Sequence, residues 1–496
     1  MAKKSVNEKL QKKIFLDKKS SWNDLNQKEV FAFADKYKQF MAGSKTERLC
    51  IDNVISDLKK DQVFKFADSY KKFLKESKTE RLCIENVVKV LKKNDFKDIN
   101  TITNVKEGDK IYKNVRGKAL LAAIIGKNPS KWQLIGSHVD SPRLDLKPHP
   151  VYEDSGFGLI KTHYYGGVKK YHWVNTPLAL HGVAFTKEGK KVTIAIGDKD
   201  DEPKFIIPDL LPHLARNQME RKANKIIEGE ELNILVGSIP VDDDKIKEQV
   251  KFTVLKYLHK EYGLIEEDFA IAELELVPVT NPMDIGFDSS LIAAYGQDDK
   301  VCVYASLMAL LETKEPKNTS VAFFADKEEI GSVGDTGAAS FVLQNFAHDY
   351  AQLTKLKITV SNLFENSNAV SADVTAGMNP NYKDVHDPSN ASYLGRGVSV
   401  EKYGGGGGKY STQDAHSEYM QYIREILDKN KIAWQTGELG KIDLGGGGTI
   451  AMFLSRYGMN CLDAGPSLLG MNSPCEVTSK ADIYSSYLFY KAFFKE

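Results

Sequence analysis

The sequence predicts an α/β sandwich interrupted by a mostly β insertion. Three observations lead there. Two apolar strand patterns stand before residue 150, "ALLAAIIG" and "KWQLIGS". Between about 150 and 280 the texture turns to alternating segments such as "LALHGVAF", "KKVTIAIGD" and "ELNILVGSIP". From about 285 onward, strand patterns alternate with helical ones, the signature of helices packed on a sheet. The expected divisions are residues 1–62, 63–149, 150–282 and 283–496, with 150–282 inserted into a unit made of its two neighbours.

The first elements are a duplication. Residues 30–60, "VFAFADKYKQFMAGSKTERLCIDNVISDLKK", recur as 63–93, "VFKFADSYKKFLKESKTERLCIENVVKVLKK". Each copy reads as a helix, a break and a second helix. The S-x-x-E spacing of Ser44 with Glu47, and of Ser77 with Glu80, predicts a capping box at each break. Two units are too few for a solenoid, and only one copy can fill any single docking groove. In the insertion, "IIPDLLPHLARNQ" reads as a helical interruption. After it, "VCVYASLMALLE" is helical, "TSVAFFAD" a strand, and "AHSEYMQYIREILDKN", "TIAMFLSRYG" and "ADIYSSYLFYKAFFK" are helical.

Bulk properties exclude several classes. A net charge of +1 over 496 residues argues against nucleic acid or an acidic membrane as partner. No window is apolar for long enough to span a bilayer. Cysteines 50, 83, 302, 461 and 475 are scattered, with no C-x-x-C, which predicts reduced thiols and a cytoplasmic location.

The chemistry lies in acids and a histidine at strand ends. "WQLIGSHVD" ends in His138 and Asp140; "GQDDKVCVY" supplies Asp298 and Asp299; "VAFFADKEEIGS" supplies Glu328 and Glu329; "AVSADVTAG" supplies Asp373. In open α/β sheets ligands gather at that edge. One imidazole, two acids and an adjacent pair of glutamates are the parts a metal-dependent hydrolase needs, one glutamate ligating while its neighbour moves a proton. The glycine runs compete for attention. "KYGGGGGKYST" fails as a phosphate loop, because Tyr403 stands where glycine is required and Tyr410 follows Lys409. Close backbone approach is the expected use of both runs.

Together "GSHVDSPRLDLKP", "GQDD", "DKEEIGS", "SADVTAGMNPNY" and "WQTGELGKIDLGGGGT" resemble the M18 family of metallo-aminopeptidases, bacterial branch, over roughly residues 63–496. The resemblance implies a phosphorylase/hydrolase-like catalytic domain, a β-rich dimerisation domain in the insertion, a dimer-based dodecamer, and removal of N-terminal residues from peptides. It implies two divalent ions, zinc first, with cobalt or manganese as alternatives. His138 and Asp373 become ligands of the first ion, Asp298 the bridging carboxylate, Glu329 a ligand of the second, Glu328 the general base and Asp140 the group orienting His138. His213 resembles a histidine that reaches a neighbouring subunit's site, and Lys402, or its neighbour Glu401, falls near a substrate-contacting lysine. One departure stands out: where the family closes the second site with histidine, this chain has Asn472, which predicts a weak second site and reduced turnover. The alternative is an inactive oligomeric scaffold of the same fold.

Overall fold

The computed structural model describes residues 62–496 and, before them, only positions 28, 35, 38 and 42. The first helix-pair copy, and with it the Ser44–Glu47 box, therefore lies outside the described residues. The chain divides into residues 1–62 and 63–496. The described sheets all belong to the larger unit.

The second copy forms α1 (Gln62–Lys75) and α2 (Glu80–Lys93). Phe64, Ala67, Tyr70, Phe73 and Leu74 recur at helical spacing and are buried along α1. Cys83, Ile84, Val87 and Leu91 do the same on α2. The expected capping box is not made. Thr79 is the residue with extended backbone before α2, and its hydroxyl accepts from the Leu82 N–H at 3.2 Å. Ser77 Oγ instead accepts from Asn86 Nδ2, and Glu80 is drawn into a buried ion cluster with Lys118 at 3.0 Å and Arg143 at 3.3 Å. Tertiary pairing outcompetes the local cap.

Four strands come next: β1 (Lys97–Asp98), β2 (Lys110–Val115), β3 (Ala119–Ile124) and β4 (Asn128–His138). Then follow β5 (Arg143–Asp154), β6 (Phe157–Tyr165), β7 (Leu178–Phe185), β8 (Lys191–Ile196), β9 (Asn233–Gly237), α3 (Gln249–Tyr262) and β10 (Glu273–Pro278). The helix expected over 206–218 is reduced to a 3-10 turn, Pro212–Leu214, and one helical turn, Arg216–Met219. Pro208 and Pro212 each remove a backbone donor, so no longer ladder can form. The long helix of this stretch is α3, which the sequence patterns did not anticipate.

The remaining elements are β11 (Met283–Ile285), β12 (Leu291–Ala294), α4 (Gln297–Glu312), β13 (Asn318–Ala325), α5 (Val342–Thr354), α6 (Val360–Glu365), β14 (Asn368–Ser371), β15 (Thr375–Ala376) and β16 (Val398–Glu401). They continue through α7 (Ser417–Lys429), β17 (Trp434–Thr436), α8 (Ala451–Arg456), β18 (Asn460–Gly465), β19 (Ser467–Leu469), β20 (Glu476–Ser479) and α9 (Lys480–Lys495).

Among the described residues the strands build three sheets, so the chain is a mixed α/β protein. The largest runs β1-β2-β3-β13-β4-β14-β18-β16-β17. An antiparallel six-stranded sheet runs β8-β7-β10-β5-β6-β9, and a five-stranded one β11-β12-β20-β19-β15. In the largest sheet β13, β4, β14 and β18 are mutually parallel, so their C-terminal ends share one edge. Ala325 pairs with His138 there, and Ser371 pairs with both Gly136 and Asp463.

Burial on both faces explains the near-continuous apolar runs. Along β13, Ala322 and Phe324 join a core with α1, α2, α4 and α9, while Val321, Phe323 and Ala325 join another with α5 and α8. This is the period-2 alternation of a pleated strand. Trp132 of β4 is fully buried in the second core, edge-on to Tyr350 with ring centroids 5.1 Å apart.

Candidate metal centre

The parallel edge gathers the sequence-predicted residues. His138 closes β4 and is 1% exposed. Its Nε2 lies 3.1 Å from Asp298 Oδ1, 3.8 Å from Asp373 Oδ1 and 3.9 Å from Glu328 Oε2. Ligand atoms of His138, Asp298 and Asp373 all fall within 4.8 Å of one another. Two ligands of one zinc each sit about 2 Å from it and so lie at most about 4 Å apart, and the two His138–carboxylate separations meet that test. One borderline-soft nitrogen and two hard oxygens also form a donor set suited to zinc, cobalt or manganese. The residues present fit a divalent ion.

Each side chain is aimed by its element. Asp298 lies at the start of α4 but outside helical geometry, and its peptide bond to Asp299 is cis. Its Oδ1 faces His138, while Oδ2 accepts from Asn472 Nδ2 at 3.0 Å. The same amide nitrogen lies 3.0 Å and 3.2 Å from the two carboxylate oxygens of Glu329. Asp298 thus turns one oxygen to each side of the cluster. Asp299 points away and accepts the backbone N–H of His138.

Asp140 ties the histidine to the glutamate pair. Its Oδ1 is 3.3 Å from His138 Nδ1, and its two oxygens accept the backbone N–H groups of Glu328 and Glu329 at 3.1 and 3.2 Å. Tyr165 donates a third bond, at 2.8 Å. Burial would raise the Asp140 carboxyl, but these bonds and the Arg143 charge bring it down to about 2. Glu328, Glu329 and Asp373 go the other way. Burial pushes all three up, and neighbouring carboxylates add to it against the pull of His138. Burial lowers His138, but its bonds to Asp140 and Asp298 and the nearby acids hold it well above its ordinary value.

The cluster opens into a cavity of about 380 Å³. Both glycine runs wall it, with Gly404 and Gly446 to Gly448 in the lining. The Gly405 N–H donates to Gly447 O at 2.7 Å, and a Cβ on Gly446 would fall 2.0 Å from Gly405 O. The runs serve close backbone approach, as expected.

Two predicted residues stand apart from the cluster. His213 is exposed in its 3-10 turn. Lys402 pairs with Asp414 at 3.2 Å and is absent from the cavity wall, where its neighbour Glu401 lies instead. Sequence reasoning named Glu401 only as the alternative to Lys402, and it missed Asp463 and Glu476. Glu476 is 1% exposed and accepts the backbone N–H groups of Asp298 and Asn472, at 3.1 and 2.7 Å, which sets where both side chains begin. Its position four residues after Asn472 was the available signal.

Cys83, Cys302 and Cys461 are buried and Cys475 exposed, all as free thiols. Among the described residues no helix is long and apolar enough to cross a membrane.

The chain is similar to known proteins over nearly its whole length. The family profile described as aminopeptidase I zinc metalloprotease (M18) matches residues 73–494. A probable M18 family aminopeptidase 1 from Clostridium acetobutylicum is 46% identical over 488 residues, 96% of this chain and 97% of that one. The crystal structure of an M18 family aminopeptidase from Thermotoga maritima superposes with a TM-score of 0.84 at 42% identity, covering 88% of this chain and 96% of that one. That of aminopeptidase I from Clostridium acetobutylicum gives 0.80 at 40%, covering 97% and 100%. With its histidine and acids converging at the sheet edge, and with these likenesses, the chain belongs to the M18 family of zinc metallo-aminopeptidases.

Proposed function

We propose that the chain removes N-terminal residues from peptides at this cluster, with two divalent ions bound unequally. His138, Asp298 and Asp373 would hold the first ion; Asp298, Glu329 and Asn472 would offer the weaker second position. Zinc is the leading choice, with cobalt or manganese as alternatives. The observation that carries the reading is the convergence of His138 Nε2 with one oxygen each of Asp298 and Asp373.

A bound divalent ion supplies positive charge that polarises the scissile carbonyl and eases deprotonation of water. The chain's own residues do the rest. Glu328 reaches the cavity beside His138, and its carboxylate takes a proton from the attacking water and passes it to the leaving amine. Asp140 fixes the ring of His138 through Nδ1 and, by gripping the backbone of Glu328 and Glu329, fixes the base relative to the ligand. Asn472 rotated about its amide offers a carbonyl oxygen, a poorer partner for zinc than imidazole nitrogen. Glu328→Gln should keep the first ion and lower kcat by roughly 100-fold or more. Loss of metal in that variant, or an unchanged rate of peptide hydrolysis, would sink the assignment.

In this reading residues 63–149 and 283–496 form the catalytic sandwich, and 150–282 an inserted dimerisation unit. Support comes from the six-stranded sheet, whose strands fall within 143–278, so that the first half of β5 precedes the expected boundary at 150. The assembly is a homo-oligomer, a dimer-based dodecamer. Leu210, Leu211, Leu214 and Met219 flank His213 and are each half exposed or more, an apolar surface that a second copy would cover while bringing His213 to its site. Among the described residues four of the five cysteines stand as unpaired thiols, which favours the cytoplasm.

A further inference from the structure

We infer that Glu401 and Asp463 read the N-terminal side chain of the substrate, and that peptides beginning with lysine or arginine are favoured over those beginning with an acid. The inference rests on the aminopeptidase reading above and adds its substrate class.

Beyond the metal-centre acids, the charged groups in the cavity wall are Glu401 and Asp463; no lysine or arginine lines it. Glu401 ends β16 and Asp463 lies in β18, directly opposite in the antiparallel register. Opposed residues project from the same face, and like charges so placed repel. Both side chains are buried, at 7% and 3% exposure. Their partners are all neutral. Asp463 accepts from Gln413 Nε2 and Thr449 Oγ1, each at 2.7 Å, and Glu401 Oε1 accepts from the Thr375 hydroxyl. Among the described residues the other oxygen of Glu401 takes no hydrogen bond, and neither acid has an ion pair. Lys402, the nearest cation in sequence, is turned to Asp414.

A buried carboxyl pair without a counter-cation is costly. Burial accordingly pushes Glu401 up to about 8 and raises Asp463. An ammonium or guanidinium entering the cavity removes that cost and gains charge-assisted hydrogen bonds, whereas a third carboxylate adds to the repulsion. Val374 and Met471 in the same wall offer apolar surface for the stem of a long side chain.

The test uses the full-length zinc-loaded protein and tripeptides X-Ala-Ala, with X lysine, arginine, leucine or aspartate. Lysine and arginine should exceed aspartate in kcat/KM by about 100-fold, and Glu401→Gln or Asp463→Asn should cut the lysine-over-leucine ratio about ten-fold. A second readout needs no turnover: lysinamide should raise the Tm of chelator-treated protein more than leucinamide does, and less so in Glu401→Gln. Aspartate cleaved as fast as lysine by the parent protein overturns the inference. So does an equal loss on lysine and leucine peptides in both variants, because the acids would then hold the α-ammonium common to all substrates. Hydrolysis of none of the four peptides would instead strike the aminopeptidase reading itself.

Discussion

The side-chain nitrogen of Asn472 lies 3.0 Å from Oδ2 of Asp298, on the side of that carboxylate opposite His138. An amide donor thereby satisfies two acids, Asp298 and Glu329. Asn472→His should raise bound zinc from about one toward two per chain and increase turnover roughly ten-fold or more, since an imidazole replaces a weak oxygen donor. Elemental analysis and peptide hydrolysis check both. Equal metal content and equal rate in the two proteins would refute the view of this position.

Asp140 touches His138 and the backbone of both glutamates, so its loss should loosen ligand and base together. Asp140→Asn is expected to weaken zinc binding by about 10- to 100-fold, because the ring of His138 loses its charged orienting partner. Calorimetric titration of chelator-treated protein with zinc measures this directly. Affinity within two-fold of the parent would remove Asp140 from that role.

The ion cluster under α2 predicts a pH dependence of stability. Burial raises the Glu80 carboxyl, but Arg143 and Lys118 outweigh it and hold it below its ordinary 4.5. A carboxyl depressed on folding stabilises the fold above its unfolded pKa, and that share is lost as pH falls from about 4.5 through the lower folded value. Glu80→Gln should therefore cost about 1–3 kcal/mol at pH 7 and flatten the stability curve on the acid side. Chemical denaturation from pH 7 down to 3 reads both; a variant whose acid loss parallels the parent's would contradict it.

The two helix-pair copies make a further prediction. The buried positions of the second copy are 64, 67, 70, 73, 74, 77 to 80, 83, 84, 87 and 91. The first copy, 33 residues earlier, carries the same residue at every one except Met41 in place of Leu74. Deleting 61–93 joins Lys60 to Asn94 and offers the first copy to the groove in the same register. A Leu-to-Met exchange in a core costs under about 1.5 kcal/mol. The deletion should fold, with Tm within a few degrees of the parent, as should deletion of 28–60. Unfolding of the first variant alone would show that the exposed differences matter more than the shared face.

Much of the site was legible because metal chemistry restricts residue type, and strand ends announce themselves as apolar runs that stop. His138, Asp298, Glu328, Glu329 and Asp373 were identifiable on that ground. Glu476 was not. One of the two backbone amides it accepts, that of Asp298, is brought to it by pairing of β12 with β20, a contact between segments nearly 200 residues apart. The Ser77–Glu80 box failed for a related reason, since Glu80 met Arg143 and Lys118 only once the sheet had formed. The helix expected over 206–218 failed on Pro208 and Pro212, which apolar spacing alone underweighted.

By itself the sequence determined which side chains could bind a metal, the alternation of strands and helices, and the repeat of the helix pair. All of these are local properties of residue type and period. Only the tertiary structure decided which acids meet His138, and that Glu401 rather than Lys402 enters the cavity. Adjacent residues of a strand face opposite sides, and which side becomes the wall is set by register with another strand, here Glu401 against Asp463. That pairing joins positions far apart in the chain, where no local pattern reaches.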